Sequence, residues 1–377
     1  MARLGDFCDI NMGQSPDSSS YNDAGQGLPF YQGNADFGVR YPTPRVYCSQ
    51  PCKIAHKGDV LISVRAPIGA LNIANETCCI GRGLAAIAID ENKCSKEYFW
   101  YAIAAKVDEL NAKGTGSTFK AISKSVLFDT NIVLPALNEQ KKAYGCLSLV
   151  DELISLRKKQ LQKLDDLVKS RFVEMFGDPN TNPMGWTEYP LSEMLNILGG
   201  YAFRSEGFCE ADGIPVLRIG NINAGFFKPV NMVFWEEDES LERYIMYPGD
   251  LVMSLTGTVG KDDYGNVCML GNDYDKYYLN QRNAKLELKE GLDKHYLSQL
   301  LRFEKIKKRL TGISRGVRQA NISNKDILGL RVPIPPIALQ WQYATFVTQV
   351  DKSKLTVQQG LDKLELLKQS LMQKYFG

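Results

Sequence analysis

VDELISLRKKQLQKLDDLVKSRFVEMFG, residues 150–177, returns as VDKSKLTVQQGLDKLELLKQSLMQKYFG at residues 350–377. Val150-Asp151 meets Val350-Asp351, and Leu161, Lys163, Leu164, Leu167 and Ser170 meet Leu361, Lys363, Leu364, Leu367 and Ser370. Both copies stop at Phe-Gly, 176–177 and 376–377. Working outward, Gly116 to Gly177 falls on Gly316 to Gly377 without a gap, matching Ile122-Ser123 to Ile322-Ser323, Pro135 to Pro335 and Gln140 to Gln340. Earlier landmarks persist although loop lengths differ: Gly27-Leu28-Pro29 with Gly33-Asn34 corresponds to Gly213-Ile214-Pro215 with Gly220-Asn221. Gly58-Asp59-Val60-Leu61 likewise corresponds to Gly249-Asp250-Leu251-Val252. The chain is a tandem duplication, and a duplicated chain is expected to fold with pseudo-two-fold symmetry.

Within the repeat, apolar residues recur at three- and four-residue steps: Leu147, Val150, Ile154, Leu161, Leu164 and Val168, then Val347, Val350, Val357, Leu361 and Leu364. Arg157 and Lys354 interrupt the two stripes. So narrow a seam predicts a two-stranded coiled coil, with Val150, Ile154, Leu161 and Leu164 pairing against Val350, Val357, Leu361 and Leu364. Upstream, short β-rich runs at 60–64, 84–89, 132–134, 251–255 and 284–288 are bounded by Gly, Pro, Asn and Asp. Residues 98–110 and 296–310 read as amphipathic helices. The predicted order is a mixed α/β unit (1–140), a helix (141–177), a linker (178–188), a second α/β unit (189–340) and a second helix (341–377).

Composition excludes several function classes. The 45 Lys and Arg against 43 Asp and Glu leave a net charge of +2, so any basic surface is local. Nine cysteines without a C-x-x-C pair are expected to be free thiols in a reducing cytoplasm. His56 and His295 are the only histidines, too few for a His-rich zinc site and poorly placed for a triad. No apolar run is long enough to span a bilayer and Met1 to Asp6 lacks a signal-peptide core, so a cytoplasmic protein without a membrane partner is expected.

Catalytic motifs fail one by one. The only Pro-Pro, Ile334-Pro335-Pro336-Ile337, has neither the preceding acid or amide nor the following aromatic of an amino-methyltransferase loop. Gly260-Lys261 is followed by Asp262 and preceded by Leu255 where a P-loop requires glycine. Asp275 with Glu287-Leu288-Lys289 has the spacing of a metal-dependent nuclease but lacks its proline, and the other repeat carries Ile87-Ala88-Ile89 there. No cofactor is expected. The acidic run 236–239 would repel phosphate and is expected to lie away from nucleic acid.

Local basicity is more informative. Residues 302–318 hold Arg302, Lys305, Lys307, Lys308, Arg309, Arg315 and Arg318 against Glu304 alone. In both repeats a Gly-containing loop precedes the Ile-Ser pair, and such loops let a backbone approach a duplex while Lys, Arg, Gln and Asn reach phosphates and base edges. The candidate contacts are Lys113, Thr115, Ser117, Thr118, Lys120 and Lys124 in the first half, and Gln281, Arg282, Arg315, Arg318, Gln319 and Asn321 in the second.

Gly13-Gln14-Ser15-Pro16, Tyr21, Gly27 to Gly33, the two Gly-Asp turns, Asn280-Gln281-Arg282 and the two Pro-x4-Gln segments (135–140 and 335–340) together resemble the specificity subunit of type I restriction-modification systems, over essentially the whole chain. The resemblance implies two tandem mixed α/β target-recognition domains, at 1–140 and 189–340, separated by two long antiparallel coiled-coil helices. It implies that each domain reads half of a bipartite target in double-stranded DNA. The helices would hold two methyltransferase subunits, restriction subunits being a further partner, and the chain itself would have no active site. Two rival readings are a DNA-processing enzyme on the same duplicated scaffold, either a fused nuclease or a diverged methyltransferase, and a coiled-coil adaptor without a DNA role. The chain departs from the family pattern at Leu339, where the first repeat has Glu139 before its glutamine, and in lacking net basic charge. The second departure implies DNA affinity that depends on partner subunits.

Overall fold

In the computed structural model the described residues are 1–377 apart from 117–119, 223–224, 259–260, 262 and 313–318. They form two compact units, residues 1–158 with 358–377, and residues 159–357.

The first unit begins with an antiparallel sheet in the order Cys8–Met12, Leu84–Ile89, Val60–Ser63, Leu71–Ile73. Its inward side chains Ile10, Val60, Ile62, Ala85 and Ile87 are buried against Tyr98, Phe99 and Ile103 of the helix Lys96–Ala104. A five-stranded mixed sheet adds Tyr21–Asn22, Val46–Cys48, Leu28–Tyr31, Cys78–Ile80 and Ile54–Ala55, with Leu28–Tyr31 and Cys78–Ile80 parallel. The second unit repeats the plan: Leu195–Gly199, Asn283–Leu288, Leu251–Ser254 and Val267–Met269 form the antiparallel sheet. Val233–Trp235, Ile214–Leu217, Tyr277–Leu279 and Ile245–Met246 form the other, again around one parallel pair, Ile214–Leu217 with Tyr277–Leu279.

The helices expected at 98–110 and 296–310 are each two pieces, Lys96–Ala104 with Val107–Lys113 and Lys294–Arg302 with Glu304–Thr311. Each starts two residues early because a cap is present: Ser95 accepts from the Tyr98 amide, and Asp293 from those of His295 and Tyr296. Extended backbone at Phe303 breaks the second pair.

Two of the recurrent motifs are structural. At Gly58-Asp59 and Gly249-Asp250 the glycines adopt φ of 93° and 83°, and the aspartates accept from the amides of His56 and Tyr247. A side chain on either glycine would strain this turn. Gln140 is fully buried, donating to the Lys93 and Pro135 carbonyls at 2.8 and 2.9 Å and accepting from the Ser95 amide at 2.9 Å. Gln340 repeats the clasp on Gly291, Pro335 and the Asp293 amide. Glu139 is exposed and Leu339 packs on the core, so the family's acid is dispensable to the clasp. Gln340→Leu strands two buried carbonyls and an amide, and is expected to cost about 2 to 4 kcal/mol. An unchanged denaturation midpoint would show that the clasp contributes nothing.

The long helices run Leu137–Phe176 and Ile337–Phe376, each starting soon after its proline. Each unit takes the start of one and the end of the other. In the first unit Leu147, Val150, Ile154 and Leu361 are buried, and Phe376 packs 5.2 Å from Tyr98. Lys368 pairs with Asp151 at 2.6 Å and Lys158 with Glu365 at 3.0 Å, so numbers fall on one helix as they rise on the other. In the second unit Val350 and Val357 are buried and Leu164 packs on the core. There Lys354 pairs with Asp165 at 2.6 Å, and Tyr343 donates to the Val168 carbonyl beside Phe172 and Phe176. The helices are therefore antiparallel inside each unit, with Leu161 and Leu364 half-buried along their length. The charges that interrupt the seam are accommodated: Lys354 finds Asp165, and Arg157 Nε lies 3.7 Å from where a Cβ on Gly360 would stand. No helix among the described residues is long and apolar enough to cross a membrane.

Candidate nucleic-acid interface

Parallel strands release their following residues at the same edge, and in each unit the parallel pair ends in a polar cleft. In the first unit Gln32 and Asn34 follow one strand and Gly81-Arg82-Gly83 the other, while Ser63 to Ala66 come from the neighbouring antiparallel sheet. The Val64 amide donates to the Gly83 carbonyl at 2.9 Å, fastening the third segment to the second. The cleft holds 240 Å3. In the second unit Arg218 and Asn221 follow the first strand and Asn280-Gln281-Arg282 the other, around 470 Å3. Here the Leu255 amide donates to the Arg282 carbonyl at 2.9 Å, the same fastening. Phe203 and Phe208 line this larger cleft.

The described ends of the loops singled out in the sequence adjoin residues of these clefts. Thr115 and Ala121 exchange backbone hydrogen bonds of 3.0 and 2.8 Å, and the Lys120 carbonyl accepts from the Ala66 amide. Exposed Lys120 thus stands beside Arg65. In the second unit Gln319–Asn321 pairs with Thr256–Thr258, Asn321 opposite Thr256, next to the fastened Arg282. Arg282 and the strand carrying Asn321 are therefore both fastened to Leu255, whose amide donates to the Arg282 carbonyl and whose carbonyl accepts from the Ile322 amide. Lys124 is exposed at the start of a short helix, and Lys113 is bound to Glu109 at 2.6 Å. Ser117, Thr118, Arg315 and Arg318 lie outside the described residues.

Part of the basic stretch has a different job. Arg302 donates to the Val267 and Gly225 carbonyls, Arg309 to the Arg331 carbonyl, and buried Lys307 to Asn266 Oδ1 at 2.7 Å. These cations hold the helices onto the sheet, which composition alone does not reveal. Conversely, Gln32, Arg65, Arg82 and Arg218 were not singled out. Their place shows only in the strand register: Leu84 pairs with Ser63 and Asn283 with Ser254, which makes Arg82 the counterpart of Gln281.

Among the described residues no group of three His, Cys, Asp or Glu side chains could hold a metal. Burial pushes the thiols of Cys78, Cys94 and Cys268 up to about 12 and that of Cys79 to about 11. At neutral pH these are protonated packing groups.

Two copies of one α/β unit, each carrying a polar, arginine-bearing cleft and half of an antiparallel helix pair, define a duplicated recognition scaffold. The type I restriction modification DNA specificity domain model matches residues 1–166 and 183–366, and the chain belongs to that family. Over 160 residues it is 43% identical to a Methanocaldococcus jannaschii protein provisionally named as the MjaX type I restriction enzyme specificity subunit, spanning 42% of this chain and 38% of that one. It is 26% identical over 298 residues to the MjaVIII type I restriction enzyme specificity subunit of the same organism, covering 73% of this chain and 68% of the relative. The fold is similar to the crystal structure of a type I restriction-modification S subunit from M. genitalium, with TM-score 0.58 and 16% identity over 100% of this chain and 95% of that one.

Proposed function

We propose that this chain is the DNA-reading subunit of a type I restriction-modification complex and leaves the chemistry to its partners. Each unit reads one half of a bipartite target in double-stranded DNA, and the long helices set the distance between the halves. The observation that carries this reading is the recurrence of a polar cleft at the same place in both repeats, with Lys120 beside one and Gln281, Arg282 and Asn321 around the other. Lys113, Thr115, Ser117, Thr118, Lys124, Arg315, Arg318 and Gln319 belong to the same proposed contact surface. The domains so defined are 1–140 and 189–340, with spacer helices at 141–177 and 341–377 and a linker at 178–188.

Of the two methyltransferase subunits proposed as partners, docking of one is supported by an uncovered apolar stripe on the first helix, which the second helix does not repeat. Leu149, Leu153 and Leu156 lie on one helix face at steps of four and three residues and are 56%, 39% and 52% exposed. Such a stripe is costly to leave in water and marks a partner surface. Restriction subunits complete the assembly, which acts in the cytoplasm. With a net charge of only +2, affinity for DNA is expected to rise when the partners bind.

The test is a map of genomic N6-methyladenine in cells carrying the methyltransferase subunits, with and without this chain. A split motif that appears only with the chain supports the proposal; an identical map in both overturns it. Arg318→Ala in the full assembly should cost about 1 to 3 kcal/mol and relax one base position if the side chain reads a guanine. Unaltered binding on a series of mismatched duplexes would remove Arg318 from the interface.

A further inference from the structure

We infer that the turn Gly81-Arg82-Gly83 is the specificity-determining element of the first unit, with Arg82 and Arg65 reading guanine edges in its half-site; this rests on the DNA-reading function proposed above.

The first argument is an inventory of arginines. In this unit Arg3 is bound to Asp6, Arg45 to Asp36, and Arg40 lies over the Trp100 ring. Arg157 is engaged as well. Arg65 and Arg82 are exposed, their guanidinium groups have no hydrogen-bond or ion-pair partner among the described residues, and both line the same cleft; the Arg82 amide itself donates to Ser15 Oγ at 3.4 Å. A guanidinium left free in a unit that engages its other arginines is available to an outside acceptor. Its planar fork matches guanine O6 and N7.

The second argument is that the turn is held from below. The Gln14 amide donates to the Ile80 carbonyl at 3.0 Å, and the Gly13 amide to the Leu84 carbonyl at 2.9 Å. A Cβ on Gly13 would stand 2.2 Å from the Gly81 carbonyl oxygen, so only glycine allows the two strands of chain to lie this close. The second unit repeats the support with different residues. Tyr201 donates to the Leu279 carbonyl at 2.9 Å, the Gln281 amide donates back to Tyr201 at 2.9 Å, and a Cβ on Gly200 would stand 2.2 Å from Asn280. The clamp is thus common to both repeats, while the residue at the tip differs, Arg82 against Gln281. A rigid backbone under a variable tip is what reading different bases from one scaffold requires. Gly13 and its neighbours act as positioning residues; Arg82 touches the base.

Charge and geometry are separated by Arg82→Lys, which retains the cation and loses the bidentate fork. The full chain is expressed with its methyltransferase subunits, and methylation is measured at every single-base variant of the target. Both Arg82→Lys and Arg82→Gln are expected to lower discrimination at one guanine-bearing position of the first unit's half-site on the order of 10- to 100-fold, leaving the other half unchanged. Gln281→Arg is expected to alter one position of the other half alone. Wild-type discrimination in Arg82→Lys, with uniform weakening and a lower salt slope in Arg82→Gln, would make Arg82 a phosphate contact and overturn the inference. So would relaxation in both halves at once. Since the Arg82 guanidinium has no partner to lose among the described residues, an unchanged thermal midpoint is expected for its variants; a drop of several degrees would refute the free-guanidinium argument. A wild-type assembly without any split motif would refute the DNA-reading function itself, a distinct result.

Discussion

Replacing residues 189–340 with the corresponding segment of a relative is expected to change one half of the methylated target and to leave the other half as it was. The replaced segment lies inside one compact unit, 159–357, and carries that unit's sheets, cleft and clamp intact. It also carries its own closure: Glu188–Pro190 pairs with Arg331–Pro333 at its margins, and Gln340 clasps Gly291, Pro335 and Asp293 inside it. The first unit closes the same way, Ala2–Arg3 pairing with Asn131–Ile132, and contributes nothing to these contacts. Each mismatched base pair costs about 1 to 3 kcal/mol, so a half-site altered at three positions shifts preference by roughly 3 to 9 kcal/mol. That is the largest effect expected of any change to this chain, and sequencing of methylated DNA reads it directly. A chimera that alters both half-sites, or neither, removes the modular reading.

Part of the identity that disclosed the duplication falls where packing is least forgiving. Phe176 and Phe376 pack in equivalent cores, and Gln140 and Gln340 each satisfy three buried backbone groups, so substitution at any of them leaves a cavity or an orphaned donor. The helical seam was legible for the same reason: Val150, Ile154, Val350, Val357 and Leu361 recur at a period that water and packing enforce. The first cleft was hidden because it is assembled from three stretches distant in sequence, 32–34, 63–66 and 81–83, none basic enough to stand out, whereas Gln281 and Arg282 of the second were among the candidates. The stretch 302–309 stood out, and part of it serves the fold. A count of cations cannot tell Arg302 and Lys307, whose donors are turned inward to Val267 and Asn266, from Arg82, whose donors face solvent. What separates them is the presence of an acceptor within reach, a tertiary property. The short strands, several of only two or three residues, were missed because they are held by neighbours in the sheet rather than by their own propensity.

Lengthening both long helices by one heptad, after Lys158 in the first and after Val357 in the second, is expected to lengthen the unread spacer of the target by about three base pairs while both half-sites stay the same. Those positions are the limits of the two compact units, so each unit keeps its internal contacts, including Lys158 with Glu365 and Asp165 with Lys354. Seven residues at roughly 1.5 Å each add about 10 Å, close to three base-pair steps of about 3.4 Å. A heptad retains the apolar period, so the inserted turns continue the seam instead of rotating it out of contact. Three base pairs also turn the duplex by nearly a third of a turn, and the rate of methylation should fall even where the longer motif is selected. Inserting the heptad in one helix only is a sharper perturbation. Residues that now pair, such as Asp151 with Lys368 and Asp165 with Lys354, could no longer both be in register, and loss of activity with a lower thermal midpoint is expected. If the assembly carrying the doubly extended chain methylates the original motif with its original spacing, the helices do not set the distance and the spacer must be fixed by the partner subunits.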